Sequence, residues 1–230
     1  MKKRVLILVI LIILVSSFVI VSAQTETSGD KCGGQTRLTC EWTKIKDVIG
    51  SFFSNLVSGK TDCIKQRGID AVRLVGLQGG YLNPDNYFEN DIANVAYWHD
   101  SDNIAPSKSD IESEIASYLE ATVPYCDNVN EDSVKSSVVI NDNNVVINIK
   151  GNNEYNTKVP IRLGRVYDAS SKIIDKVSEN YDSPDLAFLG TDYSDLKITI
   201  VPYDSGIVYI ITDDKSKIDD ISYSLEFAVR

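Results

Sequence analysis

Three basic residues, Lys2, Lys3 and Arg4, precede 19 uncharged residues from Val5 to Ala23, whose only polar members are Ser16, Ser17 and Ser22. No other segment constrains the chain as strongly. Its length falls within the roughly 17–25 residues that cross a bilayer as a helix. It also ends in Val21-Ser22-Ala23, a small-residue pattern of the kind cleaved from export signals. An uncleaved anchor and a cleaved signal are both compatible with this segment, and both carry residues 24–230 across the membrane while the basic end stays inside. The expected address is the cell membrane, single-pass with the C-terminal domain outside, or secretion if cleavage follows Ala23.

An outward address sets the chemistry of the cysteines. Cys32, Cys40, Cys63 and Cys126 form an even set, and in an oxidising compartment their default state is the disulfide. Four cysteines allow three connectivities. The short, glycine-bearing run from Cys32 to Cys40 makes a local bridge easy to close, which leaves Cys63 with Cys126. In the chain-entropy model that longer loop stabilises by about 4 kcal/mol and the short one by about 2–3 kcal/mol. A catalytic thiol would need an unpaired cysteine beside a basic group, and bridging is the better reading.

Charge narrows the partners. Without residues 1–23 the chain holds 20 basic and 33 acidic residues, a net charge of −13. Such a surface repels phosphate backbones, so nucleic acid is excluded as a partner, and anionic headgroups are poor ones. The expected partners are the membrane itself, through residues 5–23 if they are retained, and other envelope proteins or glycans.

Patterning along the exported part reads as α+β. Residues 24–41 resemble a Thr-, Ser- and Gly-rich tether. From Trp42, Ile45, Val48, Ile49, Phe52, Phe53, Leu56 and Val57 recur at helical spacing until Gly59. Ile69 to Leu82 reads as a strand running into Gly79-Gly80, and Asn94 to Trp98 as a second. A helix follows Pro106 and Ser107, with a capping box expected at Ser109 and Glu112 and with Ile111, Ile115, Tyr118, Leu119 and Thr122 on one face. Pro124 stops it.

Beyond residue 131, Val138–Ile140 and Val145–Ile149 flank a turn at Asn141-Asp142-Asn143-Asn144. Leu163, Val166, Tyr167, Ile173, Ile174 and Val177 mark a helix. Strands at Leu196–Ile200, Ile207–Ile211 and Ile221–Val229 close the chain, the last alternating strictly between apolar and polar residues. The expected organisation is a signal or anchor at 1–23, a tether at 24–41, a helix-strand-helix region at 42–130, and an antiparallel sheet with a helix at 131–230. A largely antiparallel sheet with about three amphipathic helices follows.

The Cys63 region, Gly76-Leu77-Gln78-Gly79-Gly80-Tyr81, the Pro106-to-Cys126 helix and the closing Tyr223-to-Val229 strand together resemble an uncharacterised archaeal family of single-span surface proteins. The resemblance spans most of residues 44–230, and Leu-Gln-Gly-Gly-Tyr is its most specific piece. It implies an N-terminal hydrophobic segment and no assigned activity. The Cys32/Cys40 pair lies outside that pattern.

No catalytic constellation is legible. His99, the only histidine, sits in Tyr97-Trp98-His99-Asp100; an acid adjacent in a strand points to the opposite face, so Asp100 is a poor partner for it. Gly-x-Ser-x-Gly is absent, and His99 reads as a surface or loop residue. One histidine and bridged cysteines do not supply a zinc site. Asp100-Ser101-Asp102-Asn103 and the Asp127–Asp132 segment are oxygen-rich, but neither has EF-hand spacing, and both read as solvated turns. Gly79-Gly80 belongs to no phosphate-binding motif and reads as a positive-φ turn or a close backbone approach. No metal and no cofactor is expected. Tyr81, Tyr87, Phe88, Tyr97 and Trp98 fall in a polar stretch from Tyr81 to Ser107, and these five are the candidate binding residues for a sugar or a partner protein.

Three functions are consistent with this reading. The first is an exported envelope protein with a structural, adhesive or partner-binding role. An exported hydrolase of an envelope polymer, using His99 or a thiol, is the second, and a ligand-binding accessory subunit of a membrane complex is the third.

Overall fold

Residues 60–89, 93–127 and 133–230 are described by the computed structural model. The amphipathic stripe at 42–59, the hydrophobic segment 1–23 and the Cys32/Cys40 pair lie outside the described residues. Among the described residues no helix is long and apolar enough to cross a membrane.

The first element corrects the sequence reading. Residues 69–77 are not a strand but the second half of α1, Lys60–Leu77. Ile64, Gly68, Ala71, Val72 and Val75 are among its buried residues and recur at three and four, and that longer period outweighs the local β-branched run. Gly79 and Gly80, at φ +66° and +90°, end the helix. The Gly80 amide donates to the Val75 carbonyl at 2.6 Å and that of Gln78 to Leu74 at 3.1 Å, so the pair satisfies carbonyls that the helix end exposes. Gly76 answers a different need: a Cβ there would meet the Ser224 carbonyl oxygen at 2.5 Å, so glycine lets α1 lie directly on the strand behind it.

Three short elements follow: β1 (Tyr87–Glu89), β2 (Asn94–Asp100) and β3 (Asp102–Asn103). The stretch from Tyr81 to Ser107 is therefore mostly strand and turn. Next comes α2, Lys108–Thr122, whose buried face is Ile111, Ile115, Tyr118, Leu119 and Thr122, as expected from spacing. Its capping box is shifted by two residues: Ser107 Oγ accepts from the Asp110 amide, and the Asp110 carboxylate accepts from the Ser107 amide at 2.8 Å. This releases Glu112 for another task. With Glu120 it caps an edge strand, Glu112 accepting from the Ile140 amide at 2.8 Å and Glu120 from that of Ser136 at 2.9 Å. Those donors would otherwise be open to pairing with a foreign strand.

After α3 (Pro124–Asp127), strands β4 (Lys135–Ile140), β5 (Val145–Lys150) and β6 (Glu154–Val159) form a three-stranded antiparallel sheet. Its third strand, Glu-Tyr-Asn-Thr-Lys-Val with a single aliphatic residue, is absent from the sequence reading. Helix α4 (Leu163–Glu179) and the short α5 (Phe188–Asp192) lead to β7 (Lys197–Tyr203), β8 (Gly206–Ile218) and β9 (Ile221–Val229). The larger sheet runs β1-β2-β9-β8-β7, with β3 beside β2. All its pairings are antiparallel except β2 with β9. The architecture is α+β with a mostly antiparallel sheet, and the one parallel pairing joins a strand of the 42–130 region to one of the 131–230 region.

The two faces of the larger sheet differ. On one, Phe227 stacks between Trp98 at 4.5 Å and Tyr209 at 5.2 Å, and α1 and α4 pack over them. By strand alternation the other face holds Val95, Tyr97, Val208 and Ala228, joined by Phe88 and Ile210. The sheet curls at this end. Tyr97 OH reaches the Ser205 carbonyl at the β7–β8 turn, 3.4 Å away, and Phe88 on one outer strand meets Tyr203 on the other at 4.5 Å.

The Cys63–Cys126 disulfide ties α1 to α3 across 63 positions of sequence, with Cα atoms 5.8 Å apart. It agrees with the longer bridge expected from the cysteine count.

Candidate functional site

Two polar clusters stand out on this frame. The first is centred on Arg162, just before α4. In β8 the residues between Asp213 and Lys217 bulge out of register with β9, which turns the Asp213 and Ser216 side chains fully inward. Arg162 donates from Nε to Asp213 at 2.8 Å and from its terminal nitrogens to Asp213 at 2.5 Å and to Asp195 at 2.7 Å. Ser216 Oγ donates to Asp213 and accepts from the Arg162 amide, and Arg165 adds a second guanidinium on Asp195 at 3.0 Å. Burial alone would push the Asp213 carboxyl up. The hydrogen bonds from Arg162, Ser216 and the Lys215 amide outweigh it and hold the group below its ordinary range. Arg162 and Arg165 do the same to Asp195. Every charge here is spent on a neighbour, so this cluster is a clamp between α4, the β8 bulge and the segment before β7.

The second cluster lies at the curled end of the sheet and is only partly spent. Arg230 follows β9; its guanidinium sits 4.4 Å over the Tyr97 ring and donates to Asp100 at 2.8 Å and Asn86 at 3.4 Å. Asn86 Nδ2 donates to the same Asp100 oxygen at 3.1 Å. Together these bonds hold the Asp100 carboxyl below its ordinary range, Arg230 first. Both bonds fall on Oδ2, leaving Oδ1 without a partner among the described residues. Asn86, just before β1, accepts from the Tyr97 amide at 3.0 Å, and Phe88 on β1 leads to Tyr203, which is 47% exposed. Aromatic surface and fixed polar groups thus adjoin.

The five aromatics expected to bind are not brought together. Trp98 is fully buried, with its indole N–H donating to the Gly79 carbonyl at 2.8 Å, and Tyr97 is buried beneath Arg230. Tyr87 is exposed but pairs with Ala96, which places it on the sheet face opposite Phe88. Tyr81 is half-buried, and burial with Asp110 and Glu114 nearby pushes its phenol up. Phe88 alone joins the exposed patch. Tyr203, Asn86 and Arg230 are its unforeseen members. The sequence signal for Tyr203 is weak, an aromatic at the end of a strand before Asp204-Ser205-Gly206; nothing in the sequence places Arg230 beside β2.

His99 also departs from expectation. It is buried in β2 rather than on the surface, with Nδ1 3.3 Å from the Arg230 carbonyl oxygen and its ring stacked against Tyr181 at 6.0 Å. Neither partner is an acid that would orient a base. Among the described residues no three His, Cys, Asp or Glu side chains are grouped to hold a metal ion.

No protein-family model and no curated protein sequence matches the chain.

Proposed function

We propose that this is an exported, membrane-anchored cell-envelope protein whose folded part has a structural, adhesive or partner-binding role, with the Phe88–Tyr203 end of the larger sheet as its contact surface. The observation that carries the reading is the Cys63–Cys126 disulfide, a bond that persists where thiols are oxidised and that ties α1 to α3. The charge-free run at 5–23 after three basic residues supplies the route outward, and the resemblance to archaeal single-span surface proteins fits the same address. The second cluster favours binding over catalysis, since its polar groups are fixed to one another beside exposed aromatic surface and the neighbouring His99 is engaged by the Arg230 carbonyl and the Tyr181 ring.

The test is labelling of intact cells with a membrane-impermeant amine reagent, followed by photocrosslinking from position 88. Lysines of the folded part, such as Lys150 and Lys158, are expected to react before lysis. Reaction only after lysis overturns the reading.

A further inference from the structure

We infer that the patch formed by Asn86, Phe88, Asp100, Tyr203 and Arg230 is a binding site for a neutral glycan. The inference rests on the envelope reading above and names the ligand class of the same surface.

Two observations lead there. The first is aromatic geometry. Tyr203 is 47% exposed and its ring is braced by Phe88 at 4.5 Å, so a stacking plane is available at small cost in side-chain freedom. The C–H face of a pyranose stacks on such a plane, and the sugar's hydroxyls are then read at the plane's border. The second is the border itself. Asp100, Asn86 and Arg230 hold one another through Asp100 Oδ2, and Arg230 is further braced on Tyr97. Asp100 Oδ1 is left to accept from a hydroxyl, and the Arg230 side chain is 47% exposed and offers further N–H donors. The Tyr97 hydroxyl bonded to Ser205 ties this trio to the turn that carries Tyr203.

Size and charge decide between ligand classes. Tyr203, at 47% exposed, offers on the order of 100 Å² of surface. It matches the scale of a sugar ring. Arg230 is neutralised by Asp100, and the chain carries a net charge of −10, so an acidic polymer is repelled at long range and finds no free cation here.

Full-length protein is titrated with chitohexaose, maltohexaose and mannohexaose, and with oligogalacturonate as the anionic control, by saturation-transfer NMR. At least one neutral oligosaccharide is expected to bind with a Kd on the order of 1 mM. Tyr203→Ala should weaken it about tenfold, Tyr203→Phe should retain it, and Asp100→Asn should weaken it several-fold. Tyr125→Ala removes a more exposed tyrosine, on α3 and outside the patch, and should change nothing. Absence of binding by all three neutral sugars, tighter binding of the anionic control, or an equal loss in Tyr125→Ala overturns the proposal. A protein adduct from position 88 without a sugar titration also overturns it, while leaving the envelope reading intact; failure of surface labelling overturns that reading instead.

Discussion

Replacement of Arg162 by alanine is the sharpest perturbation of this fold. Asp213 is fully buried and receives two guanidinium bonds, one from Ser216 and one from the Lys215 amide. Removing Arg162 leaves the last two, both neutral donors, to hold a buried carboxylate. Breaking one side of a buried ion pair costs about 3–5 kcal/mol, and Asp195 retains Arg165 and Lys215, so the loss concentrates on Asp213. In a protein of this size that corresponds to a fall of about 6–20 °C in Tm. The pH dependence follows from the sign of the shift. In the native protein the Asp213 pKa is depressed, so its stabilisation is present above the ordinary aspartate pKa near 4 and fades as pH drops through the folded value. In Arg162→Ala burial dominates and raises that pKa, so the deficit is full at neutral pH and shrinks as pH falls and the carboxyl protonates. Urea unfolding of the full-length variant, followed through the buried Trp98, measures both. Arg162→Met/Asp213→Asn should recover at least half of the loss, because it removes the charge with its partner. A deficit below about 1 kcal/mol at pH 7, or one that does not shrink toward pH 4, refutes the clamp.

Three further outcomes are expected. Cys63→Ser/Cys126→Ser should lower stability by about 4 kcal/mol in the same assay, since the bridge closes a loop of 63 positions. Ser107→Ala should cost about 1 kcal/mol through loss of the α2 cap, while Ser109→Ala should cost a few tenths; the reverse order would return the cap to the position expected from sequence. Gly76→Ala should cost about 1–3 kcal/mol by thermal unfolding, because its Cβ would press on the backbone oxygen of Ser224, which has no side-chain freedom to yield.

Local periodicity was legible where one rule acted alone. The buried face of α2, the β4–β5 hairpin, α4 and the alternation of β9 all follow from residues a few positions apart. The reading failed where two periods overlapped. Val72, Leu74, Val75 and Leu77 satisfy a short strand pattern, but Ile64, Gly68 and Ala71 complete a helical stripe that only a longer window reveals. The α2 cap failed for a related reason: two boxes, Ser107 with Asp110 and Ser109 with Glu112, overlap in the sequence, and Glu112 is drawn away by the Ile140 amide of a strand 28 residues on.

The candidate site was hidden by topology rather than by periodicity. Aromatic richness between Tyr81 and Trp98 points to that stretch, yet alternation along β2 sends Tyr97 and Trp98 to opposite faces, and both are buried because β9 lies beside them in parallel. A parallel pairing between strands more than 120 positions apart leaves no turn signature between them, unlike the hairpins read correctly. That pairing brings Arg230 next to Asp100, and the curl of the β7–β8 turn brings Tyr203 onto Phe88. The exposed patch thus takes its members from four separate strand ends. A stretch rich in aromatics marked the neighbourhood, but the long-range pairing decided which of them became core and which remained open to a ligand.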